Sequence, residues 1–151
     1  MGYQLIYNSS FKEIDENTIN IEIYRDSGGT LIASELLCSA DAVSINYESD
    51  DDVFKPIKCS DCQINVLTTK VLANLYTALG NQIYCTISKN GSLLWCGYSV
   101  PCLYSTDYNE EYNLLSLQFN DILSSLNNYN YTYLNEKQSI VSLSLIHISE
   151  P

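Results

Sequence analysis

The feature that most constrains this chain is a pair of alternating apolar and polar runs, residues 82–88 and 93–98, joined by Lys89-Asn90-Gly91-Ser92. Asn-Gly supplies the positive φ values that a two-residue type I′ turn requires, and the twist of that turn matches the twist of the strands it joins. The segment predicts a tight hairpin and so commits the molecule to an antiparallel sheet. On the second arm, alternation places Leu93, Trp95 and Gly97 on one strand face, which reads Trp95 as a core or subunit-interface residue. The other reading of Trp95 and the many tyrosines is a sugar-stacking platform.

The same period of two recurs along the chain. Residues 3–7 read as a first strand, and residues 17–25 as a second in which Ile19, Ile21 and Ile23 alternate with Asn20, Glu22 and Tyr24. Asp26-Ser27-Gly28-Gly29 is a turn, after which residues 30–33 are expected to start a return strand. Residues 42–47 form a further short strand, with Val43 and Ile45 opposed to Ser44 and Asn46. Cys62, Ile64 and Val66 face one way and Gln63 and Asn65 the other; residues 112–119 repeat the pattern with Leu115, Leu117 and Phe119. Two stretches break the period. Leu72, Leu75, Tyr76 and Leu79 fall at helical spacing, predicting an amphipathic helix of two to three turns over residues 70–80 with Gly80 as its C′ residue. Residues 121–127 predict a helical turn capped by Asn120 or Asp121.

Together these elements predict a mainly β domain, a small barrel or sandwich with one or two short α-helices, and an α+β arrangement as the fallback. With 151 residues and neither a solenoid-length repeat nor a long Pro/Gly/Ser linker, the chain reads as one domain over residues 1–134. Residues 135–142 are expected to begin a following segment.

Composition narrows function. At 46% hydrophobic and 17% charged the chain is globular, and no apolar run is long enough to cross a bilayer, so no membrane partner is expected. The N-terminus carries no secretory signal, which makes the cytoplasm the expected site of synthesis. A formal net charge of −11, from 18 acids against 7 bases, repels a phosphate backbone and argues against sequence-specific nucleic-acid binding. The acids gather at residues 48–52 and 107–111, which read as solvated loops because neither run has the glycine-punctuated spacing of a calcium loop.

Catalytic signatures are missing from the sequence. There is no Gly-x-Ser-x-Gly elbow, phosphate-cradling glycine loop or His-Glu-x-x-His pair, so no enzyme activity and no cofactor is expected. Cys59-Ser60-Asp61-Cys62 has the spacing of half a zinc site, but Cys38, Cys85, Cys96 and Cys102 provide no second close pair. Cys59 and Cys62 are therefore weak metal candidates, and reduced, partly buried thiols are the reading preferred for the cysteines.

The last nine residues, Leu143-Ser144-Leu145-Ile146-His147-Ile148-Ser149-Glu150-Pro151, resemble a translated transposon-end adaptor from sequencing-library preparation. Residues 143–151 are thus expected to be an artefact and the natural chain to continue past about Ser142. The only histidine, His147, lies in this tail, so the remaining sequence offers no imidazole for acid-base catalysis.

Five further elements occur in a fixed order: Asp50-Asp51-Asp52-Val53-Phe54-Lys55-Pro56-Ile57, Lys58-Cys59-Ser60, Leu75-Tyr76, Leu94-Trp95-Cys96-Gly97-Tyr98 with Pro101, and Asp121-Ile122-Leu123-Ser124-Ser125-Leu126. Over residues 54–126 this outline resembles the first domain of tail hub proteins from siphophages of Bacteroidetes-type bacteria. One departure is Ile122, where a small residue is common. The resemblance implies a ring-forming β-barrel at the tail tip, joining the tail tube to a central fibre or spike. Its implied partners are other copies of itself, in a threefold ring, and neighbouring tail proteins; its implied location is the virion. Trp95, Gly97, Tyr98, Asp121 and Leu123 are the structural or interface candidates. The alternative is a carbohydrate-binding or adhesin-like β-sandwich module of a bacterial surface protein.

Overall fold

The computed structural model describes residues 2–47, 59–70, 72–77, 79–100 and 113–125. The acidic runs, residues 53–58, Pro101, Cys102, Leu126, Tyr129, Tyr131, Tyr133 and His147 lie outside the described residues. The fold is mainly β. Its strands are β1 (Gly2–Lys12), β2 (Thr18–Ser27), β3 (Ser34–Glu35), β4 (Leu37–Tyr47), β5 (Ser60–Thr68), β6 (Ile83–Lys89), β7 (Ser92–Ser99) and β8 (Asn113–Asp121), and one helical turn follows, α1 (Ile122–Ser125). No helix among the described residues is long and apolar enough to cross a membrane.

The strands form one sheet in the order β3-β1-β2-β6-β7-β8-β5-β4. Every pairing is antiparallel except the short one between β1 and β3. Only Leu36 separates β3 from β4, so one continuous segment pairs with β1 at one edge of the sheet and with β5 at the other. The Leu36 N–H donates to Asn8 O at 2.8 Å, and the Cys38 thiol reaches Ser9 Oγ at 3.3 Å. The sheet is thereby rolled into a partly closed barrel.

The interior follows the predicted alternation. Ile21 and Ile23 on β2, Ile64 and Val66 on β5, Ile83 and Ile87 on β6, and Leu117 and Phe119 on β8 are each 1% exposed or less and form one apolar cluster. Burying a side chain of this size contributes about 1.5–3 kcal/mol, so this shared core is the dominant stabilising element. The hairpin is formed as expected, with φ of 51° at Asn90 and 82° at Gly91.

Three strand irregularities were not expected. On β7, Ile87 pairs with Trp95 and Ser88 with Leu93, leaving Leu94 as an extra residue. This bulge reverses the face on its far side: Trp95 and Gly97 point inward, but Leu93 is turned out and 63% exposed, correcting the expectation that all three share a face. On β4 the pairs Cys38 with Val66 and Val43 with Ile64 leave residues 39–42 opposite Asn65 alone, and Asn65 Nδ2 donates to Asp41 O at 2.9 Å. On β1 the extra residue is Ile6, which lets Ile6 and Tyr7 both turn inward.

The expected helix over residues 70–80 is not formed. A single 3₁₀ turn, Ala73–Leu75, stands there, and Tyr76 is extended. Thr77 supplies the local reason: its hydroxyl accepts the Leu79 N–H at 3.1 Å and donates to the Gln82 side chain, contacts that compete with a helical ladder. Packing supplies the other reason, since Leu75, 2% exposed, drops into the core while Tyr76 and Leu79 remain exposed. Residues 30–33 form no strand either; Leu31 N–H is held by the Gln4 side chain at 3.0 Å, and the pairing with β1 falls to β3.

Candidate functional site

Of the five candidate residues, three are brought together where β7, β8 and β5 meet. The Trp95 indole N–H donates to Ser60 Oγ at 3.0 Å, and Ser60 donates to Asp121 Oδ2 through its hydroxyl at 3.0 Å and its backbone N–H at 2.6 Å. The other carboxylate oxygen of Asp121 accepts the Ser124 N–H at 2.6 Å and so caps α1 as expected. Gly97 pairs with Asp121, and a Cβ added there would lie within 3.0 Å of Asn120 O and of the Trp95 ring. Trp95, Gly97 and Asp121 therefore fasten one end of the barrel: the glycine admits the indole, the indole anchors Ser60, and the carboxylate ties β5 to α1. Ile122 is 41% exposed, so its bulk is taken up by solvent and the turn closes despite it.

Tyr98 and Leu123 lie apart from this fastening. Leu123 is 49% exposed on α1. Tyr98 belongs to a group of four tyrosines on the outer face of β1, β2, β6 and β7. Cross-strand pairing sets Tyr84 beside both Tyr24 and Tyr98, with ring centroids 6.3 Å and 5.3 Å away, and Tyr3 lies over them at 5.9 Å from Tyr84 and 6.3 Å from Tyr98. The rings are tilted to one another by 42–53°, within the preferred geometry for aromatic contacts. The Tyr3 hydroxyl donates to Asn81 O at 2.5 Å and that of Tyr24 to Glu22 at 2.7 Å. Burial raises the Tyr84 phenol above its ordinary range, with Cys96 reinforcing the shift; burial also raises that of Tyr24, followed by the Glu22 carboxylate. Both therefore keep their protons at physiological pH, and Tyr24 donates its own to the Glu22 carboxylate at the border of the patch.

The outer face of β5 and β8 is mixed, with Leu67 paired to the exposed Leu37 and Leu114 at one end and polar groups along the rest. Gln63 Nε2 donates to Asn65 Oδ1 at 3.0 Å and to Ser116 Oγ at 3.3 Å, Ser116 donates to Asn65 at 2.7 Å, and Asn46 on β4 donates to Asp61 at 3.0 Å. These groups satisfy one another in a polar ladder open to water.

The cysteine pair is placed unfavourably for a metal. Cys62 points into the core, 1% exposed, and burial, with Asp61 adding to it, pushes its thiol up to about 12. Metal binding needs the thiolate, which this environment opposes. Among the described residues no three His, Cys, Asp or Glu side chains gather to hold an ion. The described cysteines form no disulfide with one another.

Tyr3, Tyr24 and Tyr84 were missed by sequence reasoning. The usable signal was the register of the hairpin, which brings Tyr84 opposite Tyr98, but only once the bulge at Leu94 is allowed for. The chain matches no family model, no curated protein and no solved structure.

Proposed function

We propose that this chain is a non-catalytic structural module of a phage tail tip, part of the hub ring that joins the tail tube to a central fibre or spike. The observation that carries this reading is the unequal outer surface of the barrel. One side carries a polar ladder bordered by Leu37 and Leu114, both exposed and both paired with Leu67, and the other gathers Tyr3, Tyr24, Tyr84 and Tyr98 into one aromatic patch beside the Glu22 carboxylate. Tyrosines in such patches are enriched at protein interfaces, where the ring is buried and the hydroxyl still finds a partner. The net charge of −11 suits a component of a channel through which DNA slides without sticking. The interior, filled by aliphatic side chains and Trp95, reads as scaffold.

The competing reading, a carbohydrate-binding or adhesin-like module, draws on the same four tyrosines. It is weaker because Trp95 is committed to the core and the tyrosine rings are mutually tilted, which denies a sugar a flat stacking platform. The test is the DNA flanking this reading frame on both sides. An upstream frame for a long, helical, tape-measure-like protein supports the hub reading. Neighbouring frames for polysaccharide uptake or surface lipoproteins overturn it.

A further inference from the structure

The tips of two hairpins are tied together through one side chain. β2 and β6 are neighbours, with Ile19 opposite Lys89, so the β1–β2 turn at residues 13–17 lies beside the Asn90-Gly91 turn. The Thr18 N–H donates to Asn90 Oδ1 at 2.9 Å, and the Asn90 N–H donates to Thr18 O at 2.8 Å. Asn90 Nδ2 donates to Asn17 Oδ1 at 2.8 Å, and Asn17 Nδ2 reaches Glu13 Oε2 at 3.4 Å. The same carboxylate oxygen takes Lys89 Nζ at 2.8 Å, which brings the chain of contacts back to the residue before Asn90. A backbone N–H can only donate and a carboxylate can only accept, so the two amides between them have one consistent orientation, Asn90 donating to Asn17 and Asn17 to Glu13.

We propose that Asn90 is a site of spontaneous deamidation that this clasp holds in check and that deamidation in turn unfastens. The inference does not depend on the tail-hub reading. A glycine after an asparagine leaves the backbone nitrogen open to the preceding carboxamide, because no side chain obstructs the approach. Gly91 has open space where a Cβ would lie and sits beyond the last ladder pair, Lys89 with Ser92, so neither packing nor strand pairing shields its nitrogen. The restraint is the Asn90 side chain itself, which must leave the Thr18 N–H and Asn17 Oδ1 before its Cγ can turn toward that nitrogen. In the reaction Gly91 N loses its proton to solvent base and bonds to Asn90 Cγ; the Cγ–Nδ2 bond breaks, and Nδ2 takes a proton from water and leaves as ammonia. Water then adds to either carbonyl of the cyclic imide and opens it to aspartate or to isoaspartate, in which the main chain runs through the former side-chain carbonyl. Aspartate replaces the Nδ2 donor by a carboxylate oxygen, which sets two acceptors against each other at Asn17 Oδ1. The new charge enters a corner where Glu13, Asp15 and Glu16 already outnumber Lys12 and Lys89. Isoaspartate adds a methylene to the main chain of a two-residue turn and moves the carboxylate away from the Thr18 N–H.

The test uses the full chain, aged at mildly alkaline pH in buffer and in urea, with peptide mass spectrometry that separates the asparaginyl, aspartyl and isoaspartyl forms of residue 90. Two hydrogen bonds of ordinary strength hold the carboxamide, so conversion is expected to run about tenfold slower in the folded chain than in urea. Asn17→Ala removes the acceptor for Nδ2 and keeps Asn90-Gly91; once shown to be folded by circular dichroism, it is expected to convert about threefold faster than the parent chain. Amide hydrogen exchange at Thr18 is expected to be faster in the folded isoaspartyl fraction than in the unconverted chain. Equal rates in buffer and urea, or no conversion in urea, overturn the proposal. So does a folded Asn17→Ala chain that converts no faster, or an isoaspartyl fraction whose Thr18 exchange is unchanged. If Asn17→Ala does not fold, the comparison with urea and the exchange at Thr18 decide, since neither uses a variant.

Discussion

The two sides of the barrel bury the same kind of side chain and show water opposite kinds of surface. Ile21, Ile23 and Ile87 on one side meet Ile64, Leu117 and Phe119 on the other in one core. Outside, β2, β6 and β7 carry tyrosines in mutual contact, whereas β5 and β8 carry amides and hydroxyls that satisfy one another, with Leu67 and the exposed Leu114 at one end. Stability demands only that the inner faces match, so the outer faces are free to differ.

Substitutions can break or sharpen this comparison. The largest effect is expected at Gly97, where the two sides join through β7 and β8. Gly97→Val forces a side chain into Asn120 O and the Trp95 ring, and is expected to cost about 3 kcal/mol or more in urea unfolding, whereas Gly28→Ala, in open space, changes stability by less than about 0.5 kcal/mol. Ile21→Ala and Ile64→Ala are each expected to cost about 2–5 kcal/mol, and similar values would show that the sides are equivalent inside.

Asp121→Ala removes the acceptor for two N–H groups and the Ser60 hydroxyl, with an expected cost of about 1–3 kcal/mol. Alkaline titration probes the core from another direction. The Cys62 thiol has an ordinary value of 9.0 when unfolded and about 12 when folded, so the native state keeps its proton while the unfolded state loses it. Stability contributed by the buried thiol is complete below pH 9 and declines as pH rises toward about 12, and Cys62→Val is expected to flatten that decline. The smallest effects are at the surface. Tyr84→Ser is expected to cost about 1 kcal/mol through its ring contacts, and Gln63→Ser less than about 0.5 kcal/mol.

The inner face of the barrel was legible in the sequence because a half-buried strand must alternate: the series through Ile21, Ile64 and Leu117 identify their own core side. The Asn90-Gly91 hairpin and the Asp121 cap were legible because each rests on one local geometric need. What failed depended on distant parts of the chain. The segment at 70–80 has helical spacing, yet Thr77 and the depth at which Leu75 is buried decide its shape. Strict alternation misplaced Leu93 because it allowed for no bulge. The conflict was nonetheless present in the sequence, since in a hairpin closed at Asn90-Gly91 an unbulged register would set Ile87 opposite Leu94 instead of Trp95. The tyrosine patch was hidden for the same reason, being assembled from four strands whose register the sequence does not state.

The most direct test of the assembly account is sedimentation velocity over a wide concentration range. It compares the intact chain with a Tyr84→Ser, Tyr98→Ser double variant and a Gln63→Ser, Ser116→Ala double variant. The account predicts that the intact chain and the polar-side variant associate alike with rising concentration while the tyrosine-side variant stays monomeric and folded. A chain that remains monomeric throughout, or association lost equally from both variants, would contradict it.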